Sequence, residues 1–379
     1  MASKIVLCTA GGHISCFHAA MKAMLDTLRN KSSRLELYGA KGGIQGLNGG
    51  KLTSIFYQDV DEDRAGSMIG ADRNHVNVEK IKWVVKKEDI LAIVMMGGDN
   101  HLREANELAK AGINVVGYPK TMDGDLSSLI TLGYDTAVSV GANAVRIHHN
   151  TAITNGKVFY VGLFGRDTDW VPCAVSAYGG ADRCIPCEKS YSWEEIWQKI
   201  DSSVKENKEN CGVGFAVVPF SEGAKINEIP NPPEEFCERD THGEVKLRPE
   251  WVAMNLELLT KKRGGKSCSQ MYTYSMRDSP PTKTDKKLSA MAGRECIEMI
   301  LEGEFGKCVA FSPLGDFYNT ERKPLEEVAV KRRLKDTGYF DYEELRSNHS
   351  FVRDYGNLFR NSLGKVSSKK SLVYRNMLR

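Results

Sequence analysis

The sequence predicts an α/β fold with parallel strands, and three observations carry that prediction. An apolar run at 91–96 stops at Gly97-Gly98-Asp99. A helical pattern over 102–111 then ends at Gly112, and a second apolar run at 113–118 delivers Pro119-Lys120-Thr121-Met122-Asp123-Gly124-Asp125. Strand, helix and strand in that order make a parallel βαβ unit. Ligands bind beyond the carboxyl ends of such strands, so both acidic loops open on one edge. Asp99, Asp123, Asp125 and Lys120 gather there. Carboxylates suit Mg²⁺, which takes one or two of them plus phosphate oxygens and water. A further carboxylate accepts a proton from a hydroxyl nucleophile. One Gly-Gly-Asp after a strand is an ordinary turn. Two acidic loops on neighbouring strands, one beside a lysine, suit phosphoryl transfer.

The 379 residues allow large cores and make two domains the default. Hydrophobic content of 41% and charge of 27% are globular values. A net charge of +3 is too small to argue for a nucleic-acid partner. No apolar run approaches the ~20 residues of a membrane span, and the run at 5–8 is too short for a signal peptide. The ten cysteines form no regular framework and read as the reduced thiols of a cytoplasmic protein. Cys184-Ile-Pro-Cys187 lacks a second pair or histidines at zinc spacing, which favours a structural role.

Taken in order, 4–8 is a first strand, followed by Ala10-Gly11-Gly12 and a helix striped with Ala19, Ala20, Met24 and Leu28. Glycines between strand and helix let backbone N–H groups face a phosphate. A second strand at 34–39 leads to a glycine-rich loop at 42–47. The polar stretch 59–76 contains Arg73, a candidate anion contact. Gly133 opens a helix to about His149, 158–164 is a strand ending at Gly165-Arg166, and 181–186 is a short strand. Ser192-Trp-Glu-Glu195 is a capping box that opens a helix to about Asn207. A strand at 212–218 ends near Glu222, and the Pro- and Glu-rich stretch 230–249 is a surface insertion. A helix at 251–262, a strand at 269–276, a helix at 284–302 and a last strand at 307–311 complete the alternation. The tail 312–379 is more charged, and 364–379 holds five basic residues and no acidic one, a solvated or partner-packed arm.

These pieces together resemble the phosphofructokinase family over roughly 4–311. Gly97-Gly98-Asp99, Pro119 to Asp125, Gly165-Arg166, Glu222-Gly223-Ala224 and Tyr274-Ser-Met-Arg277 fall in the family's order, followed by Asp285 and Gly293. The NAD kinases share the first motif and lack the Pro-Lys-Thr and Gly-Arg motifs. The resemblance implies two Rossmann-like, three-layer α/β domains with mainly parallel sheets and an active site in the cleft between them. It implies a phosphoryl-donor domain of 1–134 with about 277–303, a sugar-phosphate domain of 135–276 with about 304–320, and a C-terminal extension over 321–379. Carried over, Asp123 is the base, aided by Lys120 and Thr121, while Asp99 and Asp125 serve Mg²⁺. Gly11, Gly12, Arg73, Asn100 and Lys120 match donor-phosphate contacts. Thr121, Asp123, Asp125, Gly165, Arg166, Glu222, Tyr274 and Arg277 match the sugar-phosphate pocket. Lys157 matches a basic position that reaches in from a neighbouring subunit, which implies a homodimer or homotetramer.

The chain departs from the pattern in places. The first loop, Gly11 to His18, lacks the usual Pro, Gly and Asn. Phe164 replaces Met, Asp169 replaces Gly, and a second sugar-phosphate Arg is absent near Cys268, where Lys266 or Arg263 substitutes. The expected reaction is diphosphate with fructose 6-phosphate, because Lys120 fits the diphosphate-using pattern and Asn100 crowds ATP as Asp does. ATP is the alternative donor, sedoheptulose 7-phosphate an alternative sugar, and a non-catalytic subunit of the same fold the rival reading. Retention of Asp99, Asp123 and Asp125 argues against that rival.

Overall fold

The computed structural model describes residues 3–31, 34–239 and 246–364. They form two compact α/β units with mostly parallel sheets. The first holds the described residues up to Thr136 together with Arg277–Arg332. The second holds Ala137–Arg239, those from 246 to Met276, and those from Arg333 onward.

The first unit is a seven-stranded sheet in the order Phe317–Pro324, Lys307–Leu314, Val115–Pro119, Ile90–Gly97, Ser3–Thr9, Leu35–Ala40, Leu52–Ser54. All neighbours are parallel except the two edge pairs. Unbroken apolar runs form its central strands because helices cover both faces. On one face Val6, Cys8, Ile93, Met95 and Val115 pack with Leu102, Ala105 and Leu108 of helix Asp99–Lys110 and with Ile81 and Val84 of helix Val78–Lys87. On the other, the Tyr118 hydroxyl meets Ser289 of helix Lys283–Leu301 at 2.6 Å. That helix lies on helix Phe17–Lys31 at Gly293, where a Cβ would stand 2.5 Å from the Ala20 carbonyl oxygen. The buried Asp285 carboxylate accepts the N–H groups of Gly133 and Thr136, at 3.2 and 2.7 Å, and so ties this helix to the start of helix Tyr134–Asn155.

The chain leaves Ser3–Thr9 towards one edge and returns at Ile90–Gly97 to build towards the other. Strand order therefore reverses between these two strands, and their carboxyl ends flank the crevice where such sheets take ligands.

The second unit has a three-stranded parallel sheet, Ser267–Met271, Val158–Leu163 and Ala216–Ser221, with Val158–Leu163 in the middle. Helices Trp193–Cys211 and Pro249–Lys262 bury Ile196, Ile200, Val252 and Leu256 in the core that also takes Val158, Tyr160, Ala216 and Val218. The capping box is present: Glu195 donates its N–H to Ser192 Oγ at 3.3 Å, and Ser192 donates its N–H to Glu195 Oε2 at 2.7 Å.

Several expectations are corrected. Residues 42–47 are not a loop throughout, since Ile44–Asn48 is a short helix whose first N–H groups are accepted by Asp72 at 2.8 Å. Residues 181–186 form no strand; Ile185 makes a single bridge to Phe220. The run 269–276 is strand only to Met271, and Thr273–Asp278 is helix. Lys307–Leu314 pairs in parallel with Val115–Pro119, so it belongs to the first unit rather than to a sugar-phosphate domain. A further strand, Phe317–Pro324, follows it. No separate extension starts at 321, because described residues up to Arg332 join the first unit and later ones the second. Helix Trp170–Gly179 is buried on almost every side and so carries no amphipathic period. The basic stretch 365–379 lies outside the described residues, as does part of the expected insertion, 240–245.

The close approach at Gly293 is testable. Gly293→Val puts a branched side chain against the Ala20 backbone and should cost about 1–3 kcal/mol of stability, as overpacking does. Urea unfolding checks it, and an unchanged midpoint would mean that the two helices separate freely.

Candidate active site

The site begins with the backbone at the first unit's switch point. The Ala10 N–H donates to the Met96 carbonyl at 3.0 Å, and the Lys120 N–H to the Gly97 carbonyl at 3.0 Å. The Gly11-Gly12 loop, the Gly97-Gly98-Asp99 loop and the loop from Lys120 to Asp125 are thereby brought side by side. Lys120, 2% exposed, donates to the Gly12 carbonyl. The Arg277 guanidinium lies over Gly12, so close that a Cβ there would be 2.9 Å from its Cζ. His13 continues this loop and pairs with Asp278 at 2.5 Å.

On the other side, Asp99 heads helix Asp99–Lys110 and is bound by Arg103 at 2.8 Å. Arg103 also donates to Asn100 Oδ1 at 3.2 Å. Thr121 Oγ donates to Asp123 Oδ2 at 2.7 Å and accepts the Asp123 N–H at 3.2 Å, which fixes that carboxylate's rotamer. Arg73 follows Asp72, whose carbonyl accepts the Gly11 N–H at 2.7 Å.

Electrostatics set this crevice apart. Burial first, then the charges of Arg277 and Arg73, push the Lys120 ammonium down from 10.5 to about 7, against the pull of Asp123. Burial first, then Asp123 and Asp99, push the Asp125 carboxyl up to about 8, against the pull of Lys331. Opposite shifts of two buried groups five residues apart along one loop are typical of functional sites.

The second unit repeats the arrangement at its own central strand. Gly165 and Arg166 follow the carboxyl end of Val158–Leu163. The Gly165 carbonyl accepts the Ser221 hydroxyl and, at 3.1 Å, the Gly223 N–H, while the Glu222 N–H donates to Leu163 at 2.9 Å. Tyr274, on helix Thr273–Asp278, meets Phe164 edge to face at 5.8 Å. Asp169 has a structural use: it accepts the N–H groups of Cys187 and Glu188, at 2.7 and 3.0 Å, and the Tyr342 hydroxyl at 2.9 Å.

Arg277 stands with Gly12 and Lys120 in the first unit. Lys157 precedes strand Val158–Leu163, and Lys266, whose carbonyl accepts the Val158 N–H at 2.9 Å, precedes the strand beside it. Both therefore lie at the amino end of the sheet, a strand's length from Arg166. Arg263 is paired with Glu194. Lys331 and Arg332, which sequence reasoning left in the tail, line the acidic loops instead. Lys331 Nζ is 3.7 Å from Asp99, and the Arg332 N–H donates to the Asp125 carbonyl at 2.6 Å. No local motif marks them, because their contact with the site spans about two hundred residues of chain.

Among the described residues no group of three or more His, Cys, Asp or Glu forms a metal cage. Burial first, then the charges of Asp123 and Asp99, raises the Asp125 carboxyl, so the three carboxylates share one neighbourhood. That donor set fits Mg²⁺, which keeps its waters and is held by one or two carboxylates plus substrate phosphate oxygens.

A crevice with acidic loops, a buried lysine and a glycine loop at an α/β switch point defines a phosphoryl-transfer enzyme. The phosphofructokinase family model matches residues 4–300, and the chain belongs to that family. The pyrophosphate--fructose 6-phosphate 1-phosphotransferase of Amycolatopsis methanolica is 26% identical over 81% of this chain and 90% of its own length. ATP-dependent 6-phosphofructokinase 3 of Bacteroides thetaiotaomicron is also 26% identical, over 87% of this chain and 94% of its own. A crystal structure of pyrophosphate-dependent phosphofructokinase from Marinobacter aquaeolei shares the fold with a TM-score of 0.79 at 17% identity, covering 96% of this chain and 92% of that one.

The depressed Lys120 has a pH signature. Its folded value, about 7, lies below the 10.5 of an exposed lysine. Its burial therefore costs stability in full below pH 7, less as pH rises, and nothing above 10.5. Lys120→Met should be more stable than the wild type at pH 6, with an advantage that shrinks as pH rises through 7–10. Denaturant midpoints across pH check this, and an advantage independent of pH would mean that Lys120 is not buried as a charge.

Proposed function

We propose that this chain is a Mg²⁺-dependent phosphotransferase that moves a phosphoryl group from diphosphate to fructose 6-phosphate, yielding fructose 1,6-bisphosphate and phosphate. The observation that carries the reading is the acidic loop itself, with Asp123 oriented by Thr121 and Lys120 buried against the glycine loop. Asp123 takes the proton from the sugar hydroxyl as that oxygen bonds to the phosphorus, and the bond to the bridging oxygen of the donor breaks. Phosphate leaves, with its developing charge met by Lys120 and by the guanidinium over Gly12. Asp99 and Asp125 would hold Mg²⁺, which would supply further charge neutralisation. Arg166 and Glu222, with Tyr274 nearby, bind the sugar phosphate, for which a planar guanidinium offers a bidentate fork.

Diphosphate is preferred as donor because Lys120 occupies the position it has in diphosphate users and Asn100 supplies bulk at the head of helix Asp99–Lys110. Relatives named for each donor occur at equal identity, so the donor is read from these two side chains. Lys157 and Lys266, together at the amino end of the second sheet, serve a neighbouring subunit's sugar phosphate in a homo-oligomer. Ten unpaired cysteines suit a reducing compartment such as the cytoplasm.

Two experiments test the proposal. Fructose 6-phosphate is offered with diphosphate and with ATP in parallel to the wild type and to Asp123→Asn. The wild type should use diphosphate well and ATP poorly, and Asp123→Asn should lose about 10²-fold or more in kcat with sugar affinity kept. Faster turnover with ATP sinks the donor assignment, and a fully active Asp123→Asn sinks the base. For the assembly, analytical ultracentrifugation should find a dimer or tetramer, and Lys157→Ala should raise KM for fructose 6-phosphate. An active monomer would remove Lys157 from that role.

A further inference from the structure

Residues 330–332 are grafted onto the loop that follows Asp125. Ser127 donates its N–H and its hydroxyl to the Val330 carbonyl, at 3.2 and 3.1 Å. Leu126 and Lys331 form an antiparallel bridge. Arg332 donates its N–H to Asp125 at 2.6 Å and its guanidinium to the carbonyls of Gly124 and Leu129, at 3.1 and 3.3 Å. These bonds fix the backbone from which Lys331 projects. Its ammonium, 26% exposed, stands 3.7 Å from Asp99 Oδ2, and its charge also reaches Asp125.

A surface ion pair commonly contributes ~0–1 kcal/mol, because two long side chains lose entropy to meet. Lys331 differs in that its backbone is pinned to the same loop as one carboxylate and its partner heads the switch-point helix. Asp99, Asp123 and Asp125 repel one another in a partly dry crevice, where charges are weakly screened. A fixed cation among them lowers that repulsion and presents positive charge to an incoming phosphate.

We propose that Lys331 is a positioning residue of the phosphoryl-transfer site, resting on the reading above. It holds Asp99 and Asp125 against their mutual repulsion, in the arrangement that receives the metal–phosphate donor. Wild type, Lys331→Met and Lys331→Arg are compared with diphosphate and with ATP. With whichever donor the wild type uses, Lys331→Met should raise the donor KM about tenfold and leave the sugar-phosphate KM within about twofold, while Lys331→Arg restores most of the loss. A second readout needs no turnover: the rise in Tm given by Mg²⁺ with that donor, without sugar, should shrink in Lys331→Met, as a tenfold weaker donor requires, and return in Lys331→Arg. Circular dichroism checks folding, with Lys331→Gln replacing a Met variant that does not fold. An unchanged donor KM and Tm shift overturn the proposal. So does an equal rise in both substrates' KM, which general loosening would give. A wild type that prefers ATP revises the donor assignment alone, since the Lys331 comparison is then read on ATP.

Discussion

The burial of one ammonium group organises the first unit. Lys120 is out of water, bonded to the Gly12 carbonyl, with Arg277 on one side and Asp123 on the other. A lone charge in such a place is expensive and normally gives up its proton or finds partners. Here it does part of each, since its affinity for a proton falls while Asp123 offsets part of the fall. An anionic phosphate entering the crevice would relieve the same conflict, because it adds negative charge beside Lys120. Stored electrostatic strain is thus converted into affinity for a charged donor.

Such a crevice needs a frame that does not relax around it. The central strands of the first sheet are buried on both faces, and helices Phe17–Lys31 and Lys283–Leu301 touch backbone to backbone at Gly293. The buried Asp285 joins the starts of two helices, so the floor of the unit is tied together by charge-assisted hydrogen bonds. Loops at the carboxyl edge inherit that rigidity through the bonds from Ala10 to Met96 and from Lys120 to Gly97.

Much of this was legible in the sequence. Apolar runs that end in glycine and aspartate mark the parallel strands, and their order puts Asp99, Lys120, Asp123 and Asp125 on one edge. The capping box at Ser192 is a purely local signal, visible in the sequence and present in the fold. What local pattern misses is what distance in the chain hides. Helix Trp170–Gly179 has no polar face to supply a period, and Lys307–Leu314 joins the first sheet by pairing with a strand nearly two hundred residues earlier. Lys331 looks like any charged residue of a tail until the loop it bridges is folded beneath it. Asp169 reads as a departure from a motif, whereas in the fold it accepts two backbone N–H groups and a tyrosine hydroxyl.

The central claim is that the crevice is charged for diphosphate, and the reverse reaction examines it without coupling enzymes. Phosphorus NMR would follow the protein with fructose 1,6-bisphosphate, inorganic phosphate and Mg²⁺, beside a second sample in which ADP replaces the phosphate. The account predicts a growing diphosphate resonance in the first sample and little ATP in the second. ATP formation without any diphosphate would contradict it.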